Sequence, residues 1–253
     1  MYVTITASSH PGIARPDNQD CVGFGSWRSA AAMWRPVQRR MRLDRPLLCV
    51  VADGIGGRAG GAVASDVAVR ALLDRVDKIV RPEDVIFVLR ETDHAICEHM
   101  RGDPALEGMG TTVAGLLIRE DRQIWFNVGD SRIYQYRDPF LRQVSVDHVL
   151  HADRPGARSH VIVQSLGGAT SPSRLDPHVE AGEPALVPSR WLICSDGLSD
   201  MLSREDMEKA MQGDDLGAWL NLFAGAMEAG AMDNISIMLV SIEPDEEGRG
   251  DHG

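Results

Sequence analysis

The chain has 253 residues, 43% hydrophobic and 25% charged, an ordinary globular composition that needs no disulfide staples. No apolar run approaches the ~20 residues of a membrane span, and the opening segment lacks the charged-then-apolar pattern of a secretory leader. With 26 basic residues against 37 acidic ones, the net charge of −11 repels nucleic-acid phosphate unless a basic patch is segregated.

Cysteines at 21, 49, 97 and 194 show neither CxxC pairing nor framework spacing, so they read as reduced core thiols of a cytoplasmic protein. Apolar and β-branched runs bounded by Gly, Pro and Asp predict strands over 3–9, 21–27 and 47–53. Between the last two lies an apparent insertion, 28–46. It holds Arg28, Arg35, Arg39, Arg40, Arg42 and Arg45 against one acid, Asp44, beside Trp27 and Trp34. It reads either as a long hairpin with solvated arginines or as a docking surface for a protein partner carried by residues such as Arg39 and Arg40.

Ala64, Val67, Ala68, Ala71 and Leu72 recur at helical spacing within 60–76. Pro82 opens a second helix, to 100, with Val85, Leu89 and Ile96 on one face. Strands return over 111–118, 123–129, 132–136 and 140–146, spaced like an antiparallel meander. A polar segment, 148–160, leads to a strand over 191–197, two short helices across 203–229 and a last strand over 234–242. His94, Cys97 and His99 on the second helix, and the methionines of 201–232, read as packing residues. Residues 243–253 read as a disordered acidic tail behind a single domain, 1–242.

Strand block, helix pair, strand block, helix pair, strand is an α+β order. The runs LLCVV and ISIMLV imply strands covered on both faces. The expected architecture is therefore a four-layer α/β/β/α sandwich, two stacked and mainly antiparallel sheets flanked by helix pairs.

Asp53, Asp130 and Asp196 each close an apolar strand before Gly or Ser. Asp233 precedes Asn234 at the start of the last strand, and Asp20 precedes the second. One Asp-Gly is a common turn dipeptide. Five carboxylates at the ends of core strands carry a cost that something must offset, and bound divalent cations would do so. All-oxygen donors favour Mg²⁺ or Mn²⁺ over zinc.

A rival pattern occupies the same place. GIGGRA (54–59) follows an apolar strand and precedes a helix, with Asp74 twenty residues beyond Gly54, a dinucleotide-binding spacing. Against it, Asp53 would repel a pyrophosphate, and the chain does not continue as βαβ. No cysteine has an arginine six positions later and no GxxxxGK[ST] loop exists, which excludes a cysteine-phosphatase loop and a kinase-type P-loop.

The ordered segments run from Gly12 and Arg15 in GIARPDNQD through VADGIGG (51–57), GMGTT (108–112) and NVGDSR (127–132). They continue with Asp147–His148, VQSLGG (163–168), ICSDGLSD (193–200) and DNIS (233–236). In these, from about residue 3 to 242, the chain resembles the type-2C, metal-dependent protein serine/threonine phosphatases, in their bacterial form. The resemblance implies hydrolysis of phosphoserine and phosphothreonine in proteins, a serine/threonine kinase and its targets among them, by a hydroxide bridging two Mn²⁺ or Mg²⁺ ions.

It further implies that Asp53 bridges both metals, with Asp20 and the Gly54 carbonyl at one site and Asp196 and Asp233 at the other. Asp130, with Asp196, would hold a third and weaker metal, and Arg15 would grip the substrate phosphate in its planar fork. Asn234 would orient Asp233 or a metal-bound water. Ile55 stands where eukaryotic members carry a His, which leaves the general acid to a metal-bound water or to His148; otherwise His148 is structural. The shortened segment after Asp147, retaining Arg158 and His160 as substrate contacts, implies an open site for varied phosphoproteins. The alternative on the same fold is a phosphoprotein-binding regulatory module with little turnover, against which the intact aspartates speak.

Overall fold

The structure is a computed structural model that describes residues 1–29, 32–56, 59–150, 161–169, 174–182 and 188–244. The chain begins with β1 (Tyr2–His10), β2 (Cys21–Phe24), β3 (Trp27–Arg28), β4 (Val37–Arg42), β5 (Leu47–Ala52) and β6 (Gly54–Ile55). Two helices follow, α1 (Ala59–Leu73) and α2 (Pro82–Gly102). Next come β7 (Gly110–Thr111), β8 (Val113–Ile118), β9 (Gln123–Val128), β10 (Arg132–Arg137) and β11 (Phe140–Gln143). The last part comprises β12 (Leu166–Gly167), β13 (His178–Gly182), β14 (Ser189–Cys194), α3 (Asp196–Ser199), α4 (Arg204–Ala210), α5 (Asp215–Glu228) and β15 (Ile235–Glu243).

Two six-stranded sheets stack, one ordered β11-β10-β14-β15-β1-β4 and the other β13-β9-β8-β5-β2-β3. All ladders among the described strands are antiparallel. Period-2 alternation sorts each central strand between two cores. In β5, Leu47, Cys49 and Val51 face the inter-sheet core with Ile5, Leu116 and Trp191. Leu48 and Val50 face the outer layer with Leu72, Leu89 and Ile96 of α1 and α2. In β15, Met238, Val240 and Ile242 point between the sheets, while Ile237 and Leu239 meet Trp219 and Leu222 of α5. Both faces are covered, which is why these strands read as unbroken apolar runs. The expected α/β/β/α sandwich is the architecture found.

Pro82 opens α2, and the Asp84 carboxylate accepts from the Val80 and Arg81 N–H groups at 3.1 and 2.8 Å, satisfying donors at the helix start. Val85, Leu89 and Ile96 are fully buried, as their spacing predicts.

Several expectations are corrected. The strand expected over 21–27 is a hairpin, because Gly25 at φ +56° turns it back and β3 pairs with β2. The 28–46 insertion is no hairpin: it leaves β3 in one sheet and adds β4 to the edge of the other, beside β1. Val37 and Met41 of β4 pack on the inter-sheet core, and this burial pulls the segment across the sandwich. The meander divides as well, β8–β9 lying in one sheet and β10–β11 in the other.

A third small sheet, β12-β7-β6, was not expected; its strands are two residues each, too short for a periodic signal. His94 and His99 are exposed rather than packed, and only Cys97 of that trio is buried. Among the methionines, Met207 and Met211 fill the core but Met232 is exposed. The dinucleotide reading falls, since β5 lies between antiparallel β2 and β8 with no parallel βαβ unit. All four cysteines are buried free thiols.

Candidate metal centre

Five aspartates reach one end of the sandwich from different elements. Asp53 follows β5, Asp130 follows β9 and its Gly129 turn, Asp196 opens α3, Asp233 precedes β15 and Asp20 precedes β2. The short sheet fixes the first of them. The Asp53 N–H donates to Thr112 Oγ1 at 3.2 Å, and its carbonyl accepts from the Thr112 N–H and the Thr111 hydroxyl, each at 2.8 Å. Gly54 then passes so close to the Gly61 and Gln19 carbonyls that a Cβ would collide with both.

Burial raises the Asp53 carboxyl well above its ordinary range, and Asp20 and Asp196 raise it further. Burial also pushes Asp20 up to about 7, with Asp196 and Asp233 adding to it, although Ser195 Oγ donates to its Oδ2 at 2.8 Å. Asp130 rises to about 7 through burial and the charges of Asp196, Asp147 and Asp200. Asp196 is raised by burial, with Asp233 and Asp200 nearby. Oδ1 of Asp20, Asp130 and Asp196 is buried with no hydrogen-bond partner among the described residues.

A cation meets the cluster in Arg15, whose Nη2 donates to Asp233 Oδ2 at 2.6 Å. That bond raises the guanidinium's pKa, and the charges of Asp196 and Asp53 add to it. Arg15 is half-exposed at the rim of the acidic cluster. Among the described residues no three His, Cys, Asp or Glu side chains already stand at ligand spacing. Asp233 engages Arg15 through Oδ2 and the Asn234 N–H through Oδ1, so it must share or release a contact to reach a metal. The donor chemistry still fits hard divalent cations. The donors are carboxylate oxygens, three of them buried and unpartnered, in a cluster whose mutual repulsion a cation would relieve.

Asn234 has a different job from the one expected. Its Oδ1 accepts from the Gln19 N–H at 2.8 Å, and its Nδ2 donates to the Pro11 and Asp17 carbonyls, each at 3.0 Å. The side chain thus clamps the loop that carries Arg15 and Asp20, while only its backbone N–H holds Asp233. Gly12, at φ +77°, lets that loop lie against the Ala231 and Asp233 carbonyls, where a Cβ would clash.

His148 holds the turn at Gly129: its Nδ1 accepts from the Gly129 N–H at 3.2 Å and its own N–H donates to the Gly129 carbonyl at 3.0 Å. Burial lowers its pKa. Arg39 donates to the Gln38 carbonyl, and Arg40 lies over the Tyr2 ring and donates to Glu243 at 3.2 Å; both are on β4, an edge strand. Arg158 and His160 lie outside the described residues.

Sequence reasoning missed two members of the charged group. Asp200 stands four residues after Asp196, a helical spacing visible in SDGLSD, and it bears on both Asp196 and Asp130. Asp147 also bears on Asp130, and its own half-buried pair with Arg132, at 2.6 Å, is a tertiary contact without a local pattern.

Comparison with known proteins gives this site a family. Residues 40–224 match the family model described as protein phosphatase 2C. The chain is 30% identical over 227 residues, 81% of its own length and 88% of the other's, to the serine/threonine phosphatase stp of Listeria monocytogenes. It is 28% identical over 255 residues to the serine/threonine protein phosphatase PstP of Mycobacterium tuberculosis, spanning 45% of that longer protein. A crystal structure of the PstP catalytic domain in complex with two manganese ions covers 96% of the chain with a TM-score of 0.76 and 28% identity. The chain belongs to the protein phosphatase 2C family.

Proposed function

We propose that this chain is a metal-dependent protein serine/threonine phosphatase that hydrolyses phosphoserine and phosphothreonine in proteins. The observation that carries the reading is the convergence of five strand-end aspartates, four with carboxyls raised by burial and by one another, beside the guanidinium of Arg15. Asp53, Asp20, the Gly54 carbonyl, Asp196 and Asp233 would hold two Mn²⁺ or Mg²⁺ ions, and Asp130 with Asp196 a third. Bound there, divalent cations acidify a water and neutralise charge on phosphoryl oxygens.

The chain's own residues do the rest. Arg15 offers its planar fork to the substrate phosphate and balances charge developing on the equatorial oxygens. Asn234 keeps Arg15 and Asp20 in register with Asp233. With Ile55 after the Asp-Gly pair and the His148 Nδ1 committed to Gly129, neither supplies the leaving-group proton from that atom. The manganese complex of the PstP catalytic domain supports the metal assignment.

Phosphorylated proteins, including a serine/threonine kinase and its targets, are the substrates we infer from the bacterial relatives. Among the described residues no helix is long and apolar enough to cross a membrane. The four buried free thiols support a cytoplasmic setting. The test is phosphate release from a phosphothreonine peptide with Mn²⁺, with Mg²⁺ and with EDTA. Metal-dependent turnover that EDTA stops is expected; phosphopeptide binding without turnover would move the assignment to a regulatory module.

A further inference from the structure

Around the loop that carries Arg15 the structure exposes three large apolar side chains that the phosphate chemistry does not use. Ile13, two residues before Arg15, is 65% exposed, and its N–H donates to the Ala231 carbonyl at 2.9 Å. Met232, next to the Asp233 that holds Arg15, is 60% exposed. Trp34, from the arginine-rich insertion, is 67% exposed yet firmly seated. Its ring makes a T-shaped contact with His10 at 4.1 Å, and the neighbouring Met33 N–H donates to the Ser9 carbonyl at 2.9 Å.

His10 itself is only 1% exposed. Its Nδ1 accepts from the Gly12 N–H at 3.0 Å, which puts the ring proton on Nε2, and Nε2 has no polar partner among the described residues. The rings of Trp34 and Phe223 flank it, and Phe223 stacks on Trp219 at 5.1 Å. The aromatic group is thus preorganised from the core outward, and the 10–15 segment joins it to Arg15. A large ring held rigid at the surface loses little conformational entropy on binding a partner.

We propose that Ile13, Trp34 and Met232 form a specificity shelf that receives an aliphatic or aromatic side chain flanking the phosphorylated residue of a protein substrate. The inference rests on the phosphatase reading above and extends it to substrate class. Its ground is continuity with the site: a phosphoprotein whose phosphate reaches Arg15 must lay adjacent residues over the surface beside Arg15, and the large exposed apolar side chains there are Ile13 and Met232, with Trp34 beyond His10, among charged neighbours such as Asp17 and Arg35.

The test uses the full chain with Mn²⁺ and two substrate types. One is an aryl phosphate, and the other a phosphothreonine peptide series in which a Phe is moved one position at a time through a Ser/Gly background. The wild type should favour at least one Phe position by about tenfold in kcat/KM, the equivalent of about 1.4 kcal/mol. Trp34→Ala and, separately, Ile13→Ser should erase that preference while leaving aryl phosphate turnover unchanged.

A wild type indifferent to Phe, or variants that keep the preference, would overturn the shelf. So would an equal loss on both substrates, since that marks a structural role. A wild type inert toward aryl phosphate in Mn²⁺ would instead bring down the phosphatase reading itself.

Discussion

Asp53 and Asn234 occupy neighbouring parts of one site and are expected to fail differently. Asp53→Asn keeps the shape of a carboxylate but removes the charge, so turnover should fall by at least about 10³-fold with an unchanged circular dichroism spectrum. Asn234→Ala removes three side-chain hydrogen bonds to the 11–19 loop and leaves their partly buried partners unsatisfied. It should cost about 2–3 kcal/mol in urea unfolding and lower activity in step. Arg15→Ala should raise KM on an aryl phosphate more than it lowers kcat, as expected for a group that binds phosphate. The aspartates were legible because a charge at the end of an apolar run is conspicuous in sequence. The Asn234 clamp was not, since its partners at Pro11, Asp17 and Gln19 are more than 200 residues away in the chain.

Among the elements, those with a long period were legible and the short ones were not. The buried face of α2 and the two-sided runs of β5 and β15 follow from spacing alone. The strands β6, β7 and β12 carry two residues each, and what holds them is the pairing of Gly110 and Thr111 with Ile55 and Gly54 on one side and with Gly167 and Leu166 on the other. The placement of β4 was equally hidden: Val37 and Met41 are two apolar positions among arginines, and only the sheet edge at β1 gives them somewhere to go. Gly54→Ala tests the β5–β6 junction. Its Cβ meets backbone on both sides, so relief requires moving α1 or the Gln19 loop. We expect a loss of more than about 2 kcal/mol in thermal or urea unfolding together with weakened Mn²⁺ binding.

At the scale of the whole molecule, the sandwich holds carboxylates together against their own repulsion, and stability should record that. Asp20 and Asp130 rise from 3.8 to about 7 in the folded protein. A carboxyl raised on folding contributes stability fully present below its unfolded pKa, and loses it as pH climbs through the folded one. Between about pH 4 and pH 7 the metal-free protein therefore loses stability from this cluster. Asp130→Asn removes one member of it. In EDTA its melting temperature should come closest to the wild type at about pH 4, below most of that window, and exceed it by a few degrees at pH 8. Equal melting temperatures at both values would show that Asp130 does not feel the others.

The most direct test of the metal centre is a calorimetric titration of Mn²⁺ into the metal-free wild type and Asp53→Asn at neutral pH. The account predicts at least two ions per wild-type chain and the loss of both in the variant, because Asp53 would serve both sites. Wild-type stoichiometry and affinity in Asp53→Asn would contradict it.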